Sequence, residues 1–368
     1  MTTRAPFRVG LAVVALILAA CDTSPSPSRS AAPGQPTASP AASPAASRAP
    51  IGGRLATVQS RGQLICGVNG GLPGFSFLEE GTANWSGFDV DFCRAVAAAV
   101  LGDPAAVEFR ALSADDRGPA LQTGEVDVLI RNTTWTVTRD TSWGLFAPTT
   151  FYDGQGMMVT RETGADSLED LAGATICVQS GTTTELNLTD KMRELGVTFS
   201  PQVFGDIDAT YDAYTAGRCD AVTSDRSQLV ARRTAFTTPA DHVLLDVVMS
   251  KEPLGPVTPL GDDPWFNVVK WVVFATFEAE EQGITKTNVG QMRDTSTNPV
   301  VRRLLGAEGE LAANLGLEAD WVVDVIGAVG NYGEIYDRNL GPTTPFNLER
   351  GPNRQWTDGS LLYAPPYR

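Results

Sequence analysis

The chain repeats itself in outline, and that repeat is the strongest constraint on how it can fold. Residues 121–132, L-Q-T-G-E-V-D-V-L-I-R-N, are paralleled by residues 214–225, Y-T-A-G-R-C-D-A-V-T-S-D. Each segment reads as a helix end, a glycine turn, an aspartate, a strand and a polar terminus. Each is preceded by a similar apolar strand, 63–69 (Q-L-I-C-G-V-N) and 174–179 (A-T-I-C-V-Q), and both of these strands carry a cysteine. The first runs into the Gly-rich turn 70–74, the second into S-G-T-T-T at 180–184, where a helix begins. Strands alternating with helices argue for parallel α/β sheets, so the outline predicts two similar α/β lobes. Two unrelated α/β units would share the same outline by coincidence of architecture.

Other signals fill in the lobes. W-S-G at 85–87 precedes a helical pattern over 88–101, stopped by Gly102. Residues 106–111 read as a strand, 120–123 as a helix end and 126–130 as a second strand. The Gly-bearing stretch 151–156 is a crossing between lobes, and the Pro/Gly stretch 250–258 is the return. Both suit hinge segments, although ordinary loops hold the same residues. An apolar, Trp- and Phe-rich helix is expected over 264–280; Lys270 and the modest length mark it as a packed core helix. These bounds give lobe 1 as 55–153 plus 255–368 and lobe 2 as 154–254.

Composition then removes whole classes of function. The net charge is −15, from Asp+Glu 43 against Lys+Arg 28, which argues against a nucleic-acid footprint. The single histidine, His242, excludes any zinc site with two histidines and leaves a Ser-His-Asp triad only that residue. It stands in T-P-A-D-H-V, a loop entering a strand, and no metal or cofactor site is expected. Residues 1–21 have a basic start (Arg4, Arg8), an apolar run too short to span a bilayer, and L-A-A-C ending at Cys21. L-A-A-C resembles a bacterial lipobox, which implies export and a lipidated Cys21; an ordinary secretory signal is the alternative. Residues 22–54 are largely a Ser/Pro/Ala tract that reads as a disordered tether. Of five cysteines, setting Cys21 aside leaves four in an exported chain. One bridge within each lobe, Cys66–Cys93 and Cys177–Cys219, is expected among three connectivities. No C-x-x-C occurs, which disfavours redox or metal chemistry.

Chemistry concentrates in 130–140, I-R-N-T-T-W-T-V-T-R-D. Hydroxyls, an amide and two arginines follow the end of a buried strand, where α/β sheets hold ligands. An arginine fork matches the two oxygens of a carboxylate. A Thr-rich surface turn with solvated arginines has the same composition.

With these residues in view, the chain resembles bacterial periplasmic solute-binding proteins of polar amino-acid ABC transporters, family 3, in the general L-amino-acid-binding branch. The similar segments include I-C-G-V-N-G-G-L-P-G-F-S, G-E-V-D-V-L-I-R-N-T-T-W-T, Y-D-G-Q-G, S-G-T-T-T-E-L-N-L, S-K-E-P-L-G-P and N-Y-G-E-I-Y-D-R-N-L-G-P, from residue 55 to the C-terminus. The resemblance implies an α/β, periplasmic binding protein-like type II fold with two lobes joined by two hinge strands. It implies that Arg139 clamps a ligand α-carboxylate, helped by Thr134, the backbone at Asn132, and Thr182 and Thr183 at a helix start. Asp225 then takes the α-ammonium, with Asn69 and Arg131 nearby. Where relatives place an aromatic ring over the ligand, this chain has Leu72, with Phe75 or Trp135 as substitutes; these rings equally suit the core. Arg131 is a bulky charge where smaller residues are common, suited to an acidic side chain or a larger ligand such as glutathione, or to pairing with a nearby carboxylate.

The implied protein is a monomeric, non-enzymatic amino-acid carrier that docks on ABC permease subunits and touches the membrane only through its anchor. Two other classes remain. An enzyme on this fold, cyclohexadienyl dehydratase-like or peptidoglycan-cleaving, needs a carboxylate as general acid or base, with Asp225 or Glu185 as candidates. A sensory ligand-binding module is the third.

Overall fold

The computed structural model describes residues 53–368; the expectations for the signal, Cys21 and most of the tether lie outside them. Two five-stranded sheets organise the molecule into two lobes. The first runs, in order, Val107–Ala111, Leu64–Val68, Val128–Leu129, Val257–Pro259 and Gly144–Phe146. The second runs Ser200–Phe204, Thr175–Gln179, Ala221–Asp225, Gln155–Thr160 and His242–Leu244. In both, the first three strands are parallel and the fourth runs antiparallel to its neighbours on either side. The two sheets thus share one pattern of directions, although the fourth strand is the last of its sheet along the chain in lobe 1 and the first in lobe 2.

The repeated aspartate has the same task in both lobes. Asp127 accepts the backbone N–H of Ile65 at 2.7 Å, and Asp220 accepts that of Thr175 at 2.7 Å. Each carboxylate satisfies the first free donor at the start of the neighbouring central strand. Asp127 is buried and also pairs with Arg54 and Arg61, whereas Asp220 is exposed.

The two cores differ. Lobe 1 has one large core in which Trp265, Phe88, Phe92, Tyr332 and Tyr336 are fully buried, and a small second cluster around Leu121, Leu129 and Phe146. The helix Phe88–Leu101 ends at Gly102 in the left-handed conformation, as the sequence signal predicts. The helix Asp263–Glu281 is capped by Asp262, which accepts Trp265 N–H, and the Trp265 indole donates to Asp127 O at 2.8 Å. Lobe 2 buries two smaller clusters on the two faces of its sheet. Along Thr175–Gln179, Ile176 and Val178 enter one cluster and Cys177 the other, the two-residue alternation of a strand covered on both faces. Disulfides join Cys66 to Cys93 in lobe 1 and Cys177 to Cys219 in lobe 2. The His242 ring and the Tyr214 hydroxyl share a 2.9 Å hydrogen bond inside lobe 2.

Between the sheets, Phe151–Asp153 and Glu252–Leu254 pair antiparallel as a short two-stranded ribbon, with Asp153 opposite Glu252. No described helix is long and apolar enough to cross a membrane.

Candidate ligand-binding cleft

The cleft lies where the C-terminal ends of the parallel strands face each other, the usual ligand position in α/β sheets. After the lobe 1 strand Val128–Leu129 come Arg131, Asn132 and Thr134; the equivalent lobe 2 strand, Ala221–Asp225, ends in Ser224 and Asp225. A small inner cavity of about 20 Å³ is lined by Arg117, Arg131, Asn132, Thr134, Thr183 and Asp225, among others. Arg131 and Gln179 also border an outer chamber of about 320 Å³, with Asn69, Trp85, Asp206 and Asp208 on its walls.

The lobes touch directly across this cleft. Asn132 donates from Nδ2 to Gln228 Oε1 at 2.9 Å, and Ser180 donates to Asp115 at 2.9 Å. Gly181 has φ +69°, and a Cβ there would stand 2.0 Å from Asp115 Oδ1, so only glycine fits. Its carbonyl accepts from both Arg117 and Arg139 at 3.3 Å.

Asp225 sits at the start of the helix Arg226–Arg233 but makes no capping bond, which leaves its buried carboxylate for the cavity. Burial first, then the charges of Asp153 and Glu252, push its pKa well above the carboxylate range. A cation in the cavity would reverse that shift. Asp153 is pushed to about 6 by burial, opposed by hydrogen bonds from Ser227 and Gly154.

The helix Thr183–Leu195 aims its N-terminus at the same cavity. Thr182 is its cap, with the hydroxyl accepting Glu185 N–H at 3.1 Å, so Thr183 is free of that role. Backbone N–H groups in this first turn and the helix dipole favour an anion. Glu185 does not line the cavity.

Three placements differ from the sequence expectation. Arg139 stands one layer behind the cavity wall: Nη1 donates to Thr134 O at 3.1 Å, Nη2 to Gly181 O, and the guanidinium lies 4.8 Å over Trp143. Arg117, from the helix Arg117–Thr123, is the arginine that reaches the wall beside it. Second, the hydroxyls of Thr134 and Thr183 both donate to Glu252 Oε2, at 2.6 and 2.8 Å. A hydroxyl has one proton, so in this arrangement both present lone pairs rather than donors to the cavity. Third, Leu72 and Phe75 are 0% exposed and belong to the lobe 1 core, where Phe75 meets Phe88 and Phe151 edge-on. They do not cover the cavity. Trp135 is 40% exposed and stacks on Phe146, also off the cavity wall. Asn69 lies at the chamber, donating to Asn132 Oδ1 at 3.0 Å.

Glu252 and Arg117 are the residues that sequence reading missed. Glu252, 1% exposed on the hinge strand, also accepts from Asn187 at 2.8 Å and Ser250 at 2.5 Å, tying both lobes to the ribbon. Its only sequence signal is a single acid, next to Lys251, inside a Pro/Gly crossing. For Arg117 the signal is an arginine immediately after two aspartates at a helix start. Among the described residues, no group of three or more His, Cys, Asp or Glu is arranged to hold a metal ion.

The architecture and comparison with known proteins agree. The model of bacterial extracellular solute-binding proteins, family 3, matches residues 64–267. The chain belongs to this family. It is 49% identical over 317 residues to the general L-amino acid-binding periplasmic protein AapJ of Rhizobium johnstonii, covering 85% of this chain and 92% of that one. It is 47% identical over 315 residues to the glutamate/glutamine/aspartate/asparagine-binding protein BztA of Rhodobacter capsulatus, covering 85% and 93%. Among solved structures, a Brucella ovis ABC transporter periplasmic binding protein with glutathione bound superposes with TM-score 0.83 at 50% identity, covering 85% of this chain and 99% of that chain. Both the fold class and the role as a solute-binding protein follow from this membership.

Proposed function

We propose that this family 3 protein captures L-amino acids in the cleft and delivers them to the permease of an ABC importer, without catalysing a reaction. The observation that carries this reading is charge opposition across one small buried cavity. Asp225, on one lobe, supplies a carboxylate for an α-ammonium. Arg117, backed by Arg139 one layer behind, and the N-terminus of the helix Thr183–Leu195 supply donors for an α-carboxylate. The lone pairs of Thr134 and Thr183 suit the ammonium as well. The ligands named for the relatives, L-amino acids and glutathione, have this head group in common.

Closure supplies the mechanism. A ligand bound between the lobes stabilises the closed form because only that form contacts it from both sides. The ribbon Phe151–Asp153 with Glu252–Leu254 is the hinge, so that residues 55–153 with 255–368 move against 154–254. Micromolar affinity corresponds to about 8 kcal/mol, within reach of two charge-assisted clamps in a closed cleft. We further infer export through residues 1–21, with Cys21 as the lipidated end and residues 22–54 as a tether to the membrane, and a monomeric body.

Calorimetric titration of the ligand-stripped protein against the twenty L-amino acids and glutathione tests the reading. Micromolar or tighter binding to several of them is expected. Silence across the panel by a folded protein overturns it.

A further inference from the structure

Three buried arginines approach the cleft, and two of them are held by protein groups. Arg117 donates to Asn132 O at 3.2 Å and to Gly181 O at 3.3 Å; Arg139 donates to Thr134 O and Gly181 O. Arg131 is different. It is 4% exposed and its Nε is buried without a partner, as is that of Arg117, but unlike Arg117 and Arg139 it makes no described side-chain hydrogen bond, and no described carboxylate comes within ion-pair distance of it. Asp89 faces it from the helix Phe88–Leu101, but Asp89 Oδ2 is itself buried and unpartnered, so the two do not satisfy one another. Desolvating a guanidinium costs several kcal/mol unless an anion or strong acceptors replace the water. A side chain in this state, on the wall shared by the inner cavity and the outer chamber, is shaped for an anionic group that the protein does not supply.

We infer that Arg131 is a second anion subsite, which makes the preferred ligand an α-amino acid whose side chain ends in a carboxylate. This rests on the amino-acid reading above. With the head group between Asp225 and Arg117 in the inner cavity, a side chain directed past Arg131 and Gln179, which border both spaces, reaches the chamber. The charged groups around Arg131 locate where the second carboxylate stops. Asp89, on the helix Phe88–Leu101, lines neither space, while Arg117 and Asp225 line the inner cavity with Arg139 one layer behind. Farther out, the chamber wall carries Asp206 and Asp208. Asp206 caps its helix by accepting Ala209 N–H at 2.8 Å, and Asp208 is paired with Arg232 at 2.6 Å. An anion is favoured at the boundary and disfavoured deeper in the chamber. The amide of glutamine cannot replace it, because a neutral group gives Arg131 a weaker acceptor and leaves the guanidinium charge uncompensated.

The test is titration of the ligand-stripped, exported chain with L-glutamate and L-glutamine, for the wild type and for Arg131→Gln and Arg131→Lys. The wild type is expected to bind glutamate about 10–100-fold more tightly than glutamine, the range of a hydrogen-bonded charge pair. Arg131→Gln is expected to collapse that ratio to near one, while Arg131→Lys, which keeps the charge, retains a preference for glutamate. Equal wild-type affinity for the two ligands overturns the inference and leaves the amino-acid reading standing. So does an unchanged ratio in Arg131→Gln. The wild-type ratio decides the matter even where the variants fail to fold. A wild type that binds no amino acid overturns both readings together.

Discussion

The two central strands that follow the repeated aspartates begin alike and end as opposites. Asp127 and Asp220 make the same bond to the start of the neighbouring strand, at the same distance. A few residues later, the lobe 1 strand delivers Arg131 and Asn132 to the cleft, and the lobe 2 strand delivers Ser224 and Asp225. The scaffold end of each strand answers to backbone hydrogen bonding, which is identical in both lobes. The cleft end answers to what sits between the lobes, and a zwitterion needs one cationic and one anionic wall. Duplicated architecture with divided charge is therefore what this cleft teaches.

The comparison is most sharply broken at Asp225. Asp225→Ala removes the anionic wall and is expected to weaken amino-acid binding by about 2–5 kcal/mol, the cost of truncating one partner of a buried charge pair. Calorimetry reads this as a loss of 30-fold or more in affinity, and an unchanged affinity would remove Asp225 from the site. The scaffold end is tested by stability instead. Asp127→Ala should cost about 3 kcal/mol in denaturant unfolding, because it strands Arg54 and Arg61 as well as Ile65 N–H. Asp220→Ala, at an exposed position with one described hydrogen-bond partner, should cost about 1 kcal/mol. Equal costs would contradict the difference in burial.

Behind the cationic wall, Arg139→Ala is expected to lower affinity about 10–100-fold, less than Asp225→Ala, since Arg117 is the one of the two that lines the cavity. A loss larger than that of Asp225→Ala would place Arg139 on the ligand and Arg117 behind it.

The smallest effect concerns pH. Burial pushes Asp89 to about 7 and Asp153 to about 6, both above the ordinary 3.8. A raised carboxyl pKa means that the folded state holds the proton more tightly than the unfolded state. Its stabilising contribution is full below pH 4 and is lost as pH rises through 6 and 7. The melting temperature of ligand-free protein should fall over that window, and Asp89→Asn, which stays neutral, should flatten part of the slope. A variant with the wild-type slope would show that Asp89 does not titrate there.

Much of this was legible in the sequence. The repeat, the strand and helix order, the stop at Gly102 and the crossings at 151–156 and 250–258 are all local signals, carried by periodicity, turn residues and caps. Segment 130–140 and Asp225 also announced themselves, as polar groups at the ends of apolar strands. The functions excluded by one histidine and an acidic charge needed nothing but counting.

Tertiary structure alone decided how those residues are used. Arg117, Arg131 and Arg139 look equivalent in sequence, since a long cationic side chain carries no mark of its partner. Closure of the lobes turned two of them onto carbonyls and left Arg131 without a partner. Leu72 and Phe75 read as a loop next to a ligand, but the lobe 1 aromatic core took them because apolar area is best buried where other rings already stand. Glu252 had no sequence signature as a hub, because its partners Thr134, Thr183 and Asn187 lie 65 to 118 residues away and meet it only when both lobes close on the hinge. Sequence fixes what each segment becomes through nearest-neighbour chemistry, whereas the pairing of buried charges is settled by distances that exist only after the lobes have met.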